Sequence, residues 1–395
     1  MTIISIHMIQ NHAPSNLNRD DNGDPKDCFF GGTRRARLSS QALKRSIRWS
    51  PIFRSYFGTT DEEQEQYLAF RTTLMPEEIR KRLAHADYAD RLDDVKAQIV
   101  ETAIHFGRSE SGKSDAIEED ASSERGKAKG KSKQGNTAAA TLAKTKQLMF
   151  LTSHELDQLT SDLATLYRQS TAPDMKKFKQ KADEQYVPHT VDIAMFGRMT
   201  TSSPFKNIEA AVQIAHALST HTVAQEFDYY TAVDDISGES GAGFIGETAF
   251  NSATYYKYCS IHWEGLCQNL ADDEELSGRA VRALLHAMMT AIPSGKQNSF
   301  ATHNLPDLVL VEQRDVNIPL SYANAFVKPV RATAGGSLVE ASVAALEAYI
   351  PAINTMHGLH AERRWLGTVP FTLAGSVQCQ SLDEILAWLP PQKAS

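Results

Sequence analysis

The alternation of apolar and polar positions divides this chain into stretches of sheet and stretches of helix. Residues 3–10 place apolar groups at Ile4, Ile6 and Met8 and again at Ile3 and Ile9, so both faces of an extended segment are apolar and a buried strand is predicted. From Asn11 to Arg37 the sequence is rich in Asn, Asp, Gly and Pro without periodicity, which predicts a long functional loop. Ser39 or Ser40 then caps a helix in which Leu43 and Ile47 share one face, Lys44 and Arg48 share a neighbouring one, and Pro51 marks the end. Helical patterning follows from about Tyr56 to Ile104, with Leu68, Leu74, Ile79, Leu83, Leu92 and Val95 as its apolar positions, and resumes from Thr141 to about Gln169. Between these two, Gly107–Ala140 collapses into Ser, Gly, Lys, Ala and acids. It has too little apolar area to offset its ordering entropy and is expected to be a disordered insert acting as a solvated tether.

The second half returns to sheet. Tyr186 to Gly197 alternates through Val187, His189, Val191, Ile193 and Met195 and predicts a strand, and Ile208 to Thr220 has helical spacing. Glu226 to Ile236 and Thr248 to Trp263 are aromatic and β-branched, and the turn residues of Gly238–Gly246 join them as an extended hairpin. A helix from Asp273 to Ile292, a strand from Leu308 to Gln313, and helices near Gly336–Ala352 and Leu382–Leu389 complete the pattern. Strand and helix alternate without a strict βαβ repeat, which predicts an α+β fold.

Composition narrows the class. At 395 residues the chain is long for one core, since a domain takes about 150. A hydrophobic share of 42% with 23% charged residues excludes collagen-like, mostly disordered and membrane-embedded proteins. Cys28, Cys259, Cys267 and Cys379 are scattered, so reduced thiols are expected. The lack of a long apolar run or a signal-like start predicts a cytoplasmic protein with no membrane contact. A net charge of −7 argues against a generic polyanion binder, but its distribution is uneven. Between Arg19 and Arg54, nine basic residues face four acids, a local balance of +5.

Several motifs bear on chemistry. Gly241-Ala242-Gly243-Phe244-Ile245-Gly246 fits the dinucleotide fingerprint, but strand-favouring residues follow it where a helix is needed. His216 and His221 are five apart, the wrong spacing to share a metal on one helix, and read as packing or capping residues. Asp20 with Asp21, or Asp234 with Asp235, could attract a divalent cation. The strongest signal is Gly31–Arg45. Its glycines permit close backbone approach, its Ser39 and Ser40 hydroxyls and the free N–H groups at a helix start suit phosphate oxygens, and Lys44 adds charge one turn later. A solvated basic helix with an ordinary Ser cap is the plainer reading of the same residues. A second signal is Tyr229, Tyr230 and Val233 on the hairpin, suited to stacking on bases or to core packing.

The run Leu17-Asn18-Arg19-Asp20-Asp21, followed by Lys26-Asp27, Phe30-Gly31-Gly32, Arg34-Arg35 and Ser39-Ser40-Gln41-Ala42-Leu43-Lys44-Arg45, resembles the CasC family. That family, in the RAMP superfamily, is the repeated backbone subunit of the type I-E CRISPR complex Cascade. The resemblance continues in order through Val191-Asp192-Ile193-Ala194, Gly197-Arg198-Met199, Ala215-His216-Ala217, Thr231-Ala232-Val233-Asp234-Asp235, Gly295-Lys296-Gln297 and Ala323-Asn324-Ala325-Phe326.

The resemblance implies a hand-shaped protein. It would have an RRM-like (ferredoxin-like) palm from residues 1–54, 186–228 and 251–395, inserted helical fingers over 55–185, and a β-hairpin thumb over 229–250. It further implies a non-catalytic scaffold, with no metal or cofactor, whose copies polymerise along crRNA and present it to target DNA beside other Cascade subunits and a recruited helicase-nuclease. The matching guide-RNA positions are Arg19, Lys26, Ser39, Ser40, Gln41, Lys44, Arg45, Arg198, Met199, Tyr230, Val233, Lys296 and Gln297. The Lys-rich insert and the Tyr229-Tyr230 pair, where a bulkier pair including Trp is expected, depart from the family pattern. The alternatives are a type III-like backbone subunit that cuts RNA with a metal at Asp20 or Asp21, and a general RNA-binding module. If Arg19, Lys26, Lys44 and Arg198 each neutralise one phosphate, the salt slope is about −2.8, roughly a fifty-fold loss of affinity between 50 and 200 mM salt.

Overall fold

The strand expected at residues 3–10 is a central strand of a large mixed sheet in the computed structural model of the chain. The structure describes residues 2–84, 93–105, 143–169, 173, 174, 178, 189–200, 205–233, 235, 236 and 242–390. In chain order the elements begin with β1 (Ile3–Ser15), β2 (Asp27–Phe30), β3 (Thr33–Leu38), α1 (Ser40–Trp49), α2 (Pro51–Ser55) and α3 (Asp61–Glu65). Next come β4 (Phe70–Thr72), α4 (Met75–Leu83), α5 (Asp93–His105), β5 (Met149–Leu151), α6 (Ser153–Gln169) and α7 (Val191–Phe196). The middle holds β6 (Val212–Ile214), β7 (Ala217–Ser219), β8 (Glu226–Val233), β9 (Ala242–His262), α8 (Trp263–Asn269), α9 (Glu274–Thr290) and α10 (Gln297–Phe300). The chain finishes with β10 (Leu308–Arg314), α11 (Leu338–His357), β11 (Glu362–Gly367), β12 (Ser376–Gln378) and α12 (Leu382–Trp388).

Two compact units emerge. The first is Met1–Tyr56, Ala211–Gln268 and Asp272–Ser395, and the second is Phe57–Ala210 with Asn269–Ala271. The first unit holds the sheet, in the order β12-β11-β10-β1-β9-β7-β3-β2, with β6 and β8 also paired to β9. β1 lies antiparallel between β9 and β10, with Ile6 opposite both Cys259 and Val311. Its residues from Ile3 to Gln10 are all buried, as a strand covered on both faces requires. On one face, Leu43 and Ile47 of α1 and Met288 of α9 close over Lys257. On the other, Val343, Leu346 and Ile350 of α11 pack with Tyr256, Tyr258, Leu310, Tyr322 and Phe326. The helices start where their caps dictate: Asp273 accepts from Leu276 N at 2.8 Å, and Ser337 forms a capping box with Glu340.

The second unit is built on α4, α5 and α6. Met75, Ile79 and Leu83 meet Ile99, Ala103, Leu156, Leu159 and Leu163, and the β4–β5 pair covers one side through Met149 and Leu151. Thr152 and Glu155 cap α6 reciprocally, at 2.9 and 3.0 Å.

Five expectations change. Asn11–Arg37 is not an open loop: β1 runs on to Ser15, and β2 and β3 form a hairpin. Gly31 (φ 58°) and Gly32 (φ 76°) make its two-residue turn, the left-handed geometry that twisted strands favour. The residues described within 186–197 are helical from Val191, because Val191 to Met195 are buried all round and alternation cannot separate strand from helix there. Ile208–Thr220 is not a helix but holds β6 and β7. Both strands pair with β9, a tertiary partner that overrides the helical spacing. The helical stretches also conceal the short strands β4 and β5, and the charged strand β11 was not expected. The Gly107–Ala140 insert and hairpin-tip residues 237–241 lie outside the described residues.

Candidate nucleic-acid interface

The start of α1 organises the basic segment. Ser39 Oγ accepts from Ala42 N at 3.2 Å, and Ser39 N donates to Asn18 Oδ1 at 2.8 Å, tying the Leu17–Arg19 turn to the helix. Lys26 N donates to Asn18 O (2.8 Å) and Arg37 N to Lys26 O (3.0 Å), which fixes Lys26 beside the end of β3. Ser40 N donates to His216 Nδ1 at 3.0 Å. Burial, reinforced by the charges of Arg37 and Lys26, lowers the pKa of His216 and keeps it a neutral acceptor. The Asn18 turn, Lys26 with the end of β3, and the distant His216 segment thus meet at one helix start, the first two bringing cations. From there Leu43 and Ile47 turn inward while Gln41 and Arg45 are exposed and Lys44 is half-buried. Trp49, 61% exposed, lies at the far end of α1 with the Arg54 guanidinium 5.6 Å from its ring centre.

Lys296 and Gln297 are brought to the same region by Gly295. A Cβ there would strike the carbonyl oxygens of Asn16 and Leu17, so only glycine lets this loop close on the Arg19 turn. Lys296 has φ 51° and reaches Thr248 Oγ1 of β9 at 3.3 Å. Gln297 braces its own loop, donating to Thr302 O (3.1 Å) and Pro293 O (3.5 Å). Arg19 is exposed, and Lys26 is only 6% exposed.

The β8–β9 hairpin leaves the sheet with apolar groups on both faces. Tyr230 crosses Gly246, whose missing Cβ leaves room for its ring, and lies 6.1 Å from Phe244. Phe227, Tyr229 and Ile245 are exposed on the opposite face. Val233 ends β8 and pairs with Ala242 after a register shift. Sequence reasoning singled out Tyr229, Tyr230 and Val233 but missed Phe227, Phe244 and Ile245. The cross-strand register needed to group them is set by the hairpin itself.

Two arginines are not where the basic motif suggested. Arg35 is fully buried and donates to Ser219 O (3.0 Å), Phe326 O (2.7 Å) and Thr33 Oγ1 (2.9 Å). Arg198, expected at the guide, is instead an internal strut of the second unit. It binds both Glu155 carboxylate oxygens (2.8 and 2.9 Å), Phe150 O (3.2 Å) and Lys206 O (2.9 and 3.0 Å). Breaking so buried a pair costs about 3–5 kcal/mol, so Arg198 is held where it is. Its neighbour Met199 is 78% exposed. Gly31, expected to admit a ligand, faces the Val327 carbonyl instead.

The metal candidates are dispersed. Asp20 Oδ1 already accepts from Asn22 N (2.9 Å) and Asp24 N (3.0 Å), Asp21 is exposed, and Asp234 lies outside the described residues. Among the described residues no group of three or more His, Cys, Asp or Glu could hold a metal ion. The fingerprint glycines Gly243 and Gly246 lie within β9, with no helix after them. Among the described residues, no helix is long and apolar enough to cross a membrane.

This fold is shared with solved proteins. The chain superposes with a TM-score of 0.74 and 26% identity on a chain of a "CRISPR RNA-guided surveillance complex, pre-nicking", covering 98% of this chain and 99% of that one. A second chain, from a "CRISPR RNA-guided surveillance complex", matches at TM-score 0.64 and 22% identity over 98% and 99%. The model of the CT1975-like protein family matches residues 4–388, and the chain belongs to that family. Comparison with curated protein sequences gives no match.

Proposed function

We propose that this protein is the guide-RNA-binding backbone subunit of a CRISPR surveillance complex of type I-E. Its copies would polymerise along crRNA with an RRM-like palm and a hairpin thumb, and present the guide for pairing with target DNA. The observation that carries this reading is the gathering of Arg19, Lys26, Gln41, Lys44, Arg45 and Lys296 around the α1 start and the turn packed on Gly295. The likeness to surveillance-complex chains supports it. Backbone contacts suffice for such a subunit because base pairing reads the sequence. With Arg198 internal and Lys26 only 6% exposed, Arg19 and Lys44 remain from the four cations. The salt slope then falls to about −1.4 per subunit, roughly a seven-fold loss of affinity between 50 and 200 mM salt. One copy would therefore bind weakly, and neighbouring copies on one strand would supply the rest through effective concentration.

The subunit is read as non-catalytic, with a separate helicase-nuclease recruited to cut. The test is purification from cells carrying the CRISPR array and companion subunits, followed by nuclease mapping of the RNA that comes with it. A single guide-length RNA protected at regular intervals is expected, and heterogeneous or absent RNA would refute the scaffold. Asp21→Ala should leave assembly intact; loss of a metal-dependent cleavage with RNA binding retained would transfer the assignment to an RNA-cutting subunit.

A further inference from the structure

On the α11 side of the sheet, the first unit encloses a polar cluster that takes no part in the surface described above. The Glu312 carboxylate accepts from Arg314 Nη2 (2.7 Å), Arg363 Nε (2.6 Å) and the Tyr322 hydroxyl (2.9 and 3.0 Å), and lies 3.3 Å from His7 Nε2. The side chains of His7, Glu312 and Arg314 are wholly buried, and that of Arg363 is 10% exposed. His7 adds no charge, because burial lowers its pKa despite Glu312. Two guanidinium groups therefore share one carboxylate, and the cluster has a surplus of one positive charge.

The hydrogen bonding is unbalanced in the same sense. Arg314 Nε and Nη1 and Arg363 Nη2 are buried without a hydrogen-bond partner, and a guanidinium can only donate. A buried unpaired donor is destabilising, more so on a charged group, so three of them on two cations call for an acceptor. Water would supply acceptor oxygens but would leave the charge uncompensated. Arg363 also lines a groove of about 360 Å³ with Asn354, Leu359 and His360, and Asn354 Oδ1 is itself buried and unpartnered. That volume is far more than a halide needs and lies within the range of small-ligand pockets.

We propose that Arg314 and Arg363 form a binding site for the charged group of a small monovalent anion, entered from the groove beside Arg363. A free halide and an organic carboxylate share this chemistry. A carboxylate with an adjacent hydroxyl would also donate to Asn354 Oδ1 and fill more of the groove. The site is independent of the guide-RNA reading and stands or falls without it.

The test uses the full-length chain at constant ionic strength. Thermal unfolding is followed while sodium methanesulfonate is replaced by sodium bromide in one arm and by sodium lactate in another, and crystals soaked in bromide or lactate are measured, the former at the bromine edge. A saturable rise in melting temperature of roughly 2–5 °C is expected in at least one arm, by preferential binding to the folded state. Bromide acting alone assigns the site to an inorganic anion, and a larger effect of lactate assigns it to an organic carboxylate. Arg363→Met leaves Arg314 and Glu312 as a neutral pair and should abolish the rise. The site is overturned if neither arm saturates, if Arg363→Met retains the full rise, or if the anion that stabilises the protein, bromide or lactate, shows no density within bonding distance of either guanidinium in soaked crystals. Should the variant not fold, the density in soaked crystals of the unaltered protein decides the matter.

Discussion

β9 is one strand with two different lives. From Ala253 to His262 it is paired with β1 and covered by helices on both faces, and Tyr255, Tyr256, Cys259 and Ile261 are at most 3% exposed. From Ala242 to Phe250 it pairs with β8 alone, and Phe244 and Ile245 are more than half exposed. The same backbone ladder serves both halves, so hydrogen bonding does not distinguish them. Burial does. A two-stranded ribbon is marginal by itself in water, and this one is held by its continuity with a sheet that is not. Side chains in the buried half therefore answer to stability. Those in the exposed half are free to answer to a partner.

Substitutions should separate the halves, beginning with the largest effect. Tyr256 bonds His7 Nδ1 and Tyr322 N, both at 2.8 Å, within the packed core. Tyr256→Ala should lose about 3–5 kcal/mol in chemical denaturation, by the cavity and the broken bonds together.

Lys257 gives a pH signature of the buried half. Burial lowers its ammonium pKa from 10.5 to about 8, so between those values the unfolded chain holds a proton that the folded chain does not. The contribution of Lys257 should rise with pH through that window by up to about 3 kcal/mol, read as the difference between the unaltered chain and Lys257→Met, because the buried thiols, whose pKa values burial raises, act in the opposite sense in both. Denaturation midpoints at pH 8, 9 and 10 would show it.

In the exposed half the pattern reverses. Tyr230→Ala should change stability by no more than about 1 kcal/mol, the worth of a cross-strand pair, yet reduce retained guide RNA about tenfold if a base stacks there. Unchanged RNA occupancy would move the contact to the opposite face, where Phe227 and Tyr229 lie. The smallest effect belongs to the cations at the start of α1. Lys44→Ala should make the salt slope of RNA binding shallower by about 0.7.

What could be read from the sequence follows how local each signal is. The first strand, the Ser39 cap and the helix after Asp273 declare themselves within a few residues, and the structure has them there. β6 and β7 do not, because they are strands only by virtue of β9, some 40 residues onward. The cluster of cations at the start of α1 was legible from composition. Which cations face outward was not. Arg198 is claimed by Glu155, 43 residues away, and Arg35 by the carbonyls of Ser219 and Phe326. These acceptors lie from 43 to 291 residues away in sequence.

The place of β1 in the sheet also sets a timetable. β1 leaves the ribosome before β9 and β10, the strands between which it must lie, so its neighbours are complete only when residue 314 has been made. At about 5–20 residues per second that is a delay of roughly 15–60 s. During that time a strand apolar on both faces has no native partner, and a newly made chain depends on whatever shields it until the sheet can close.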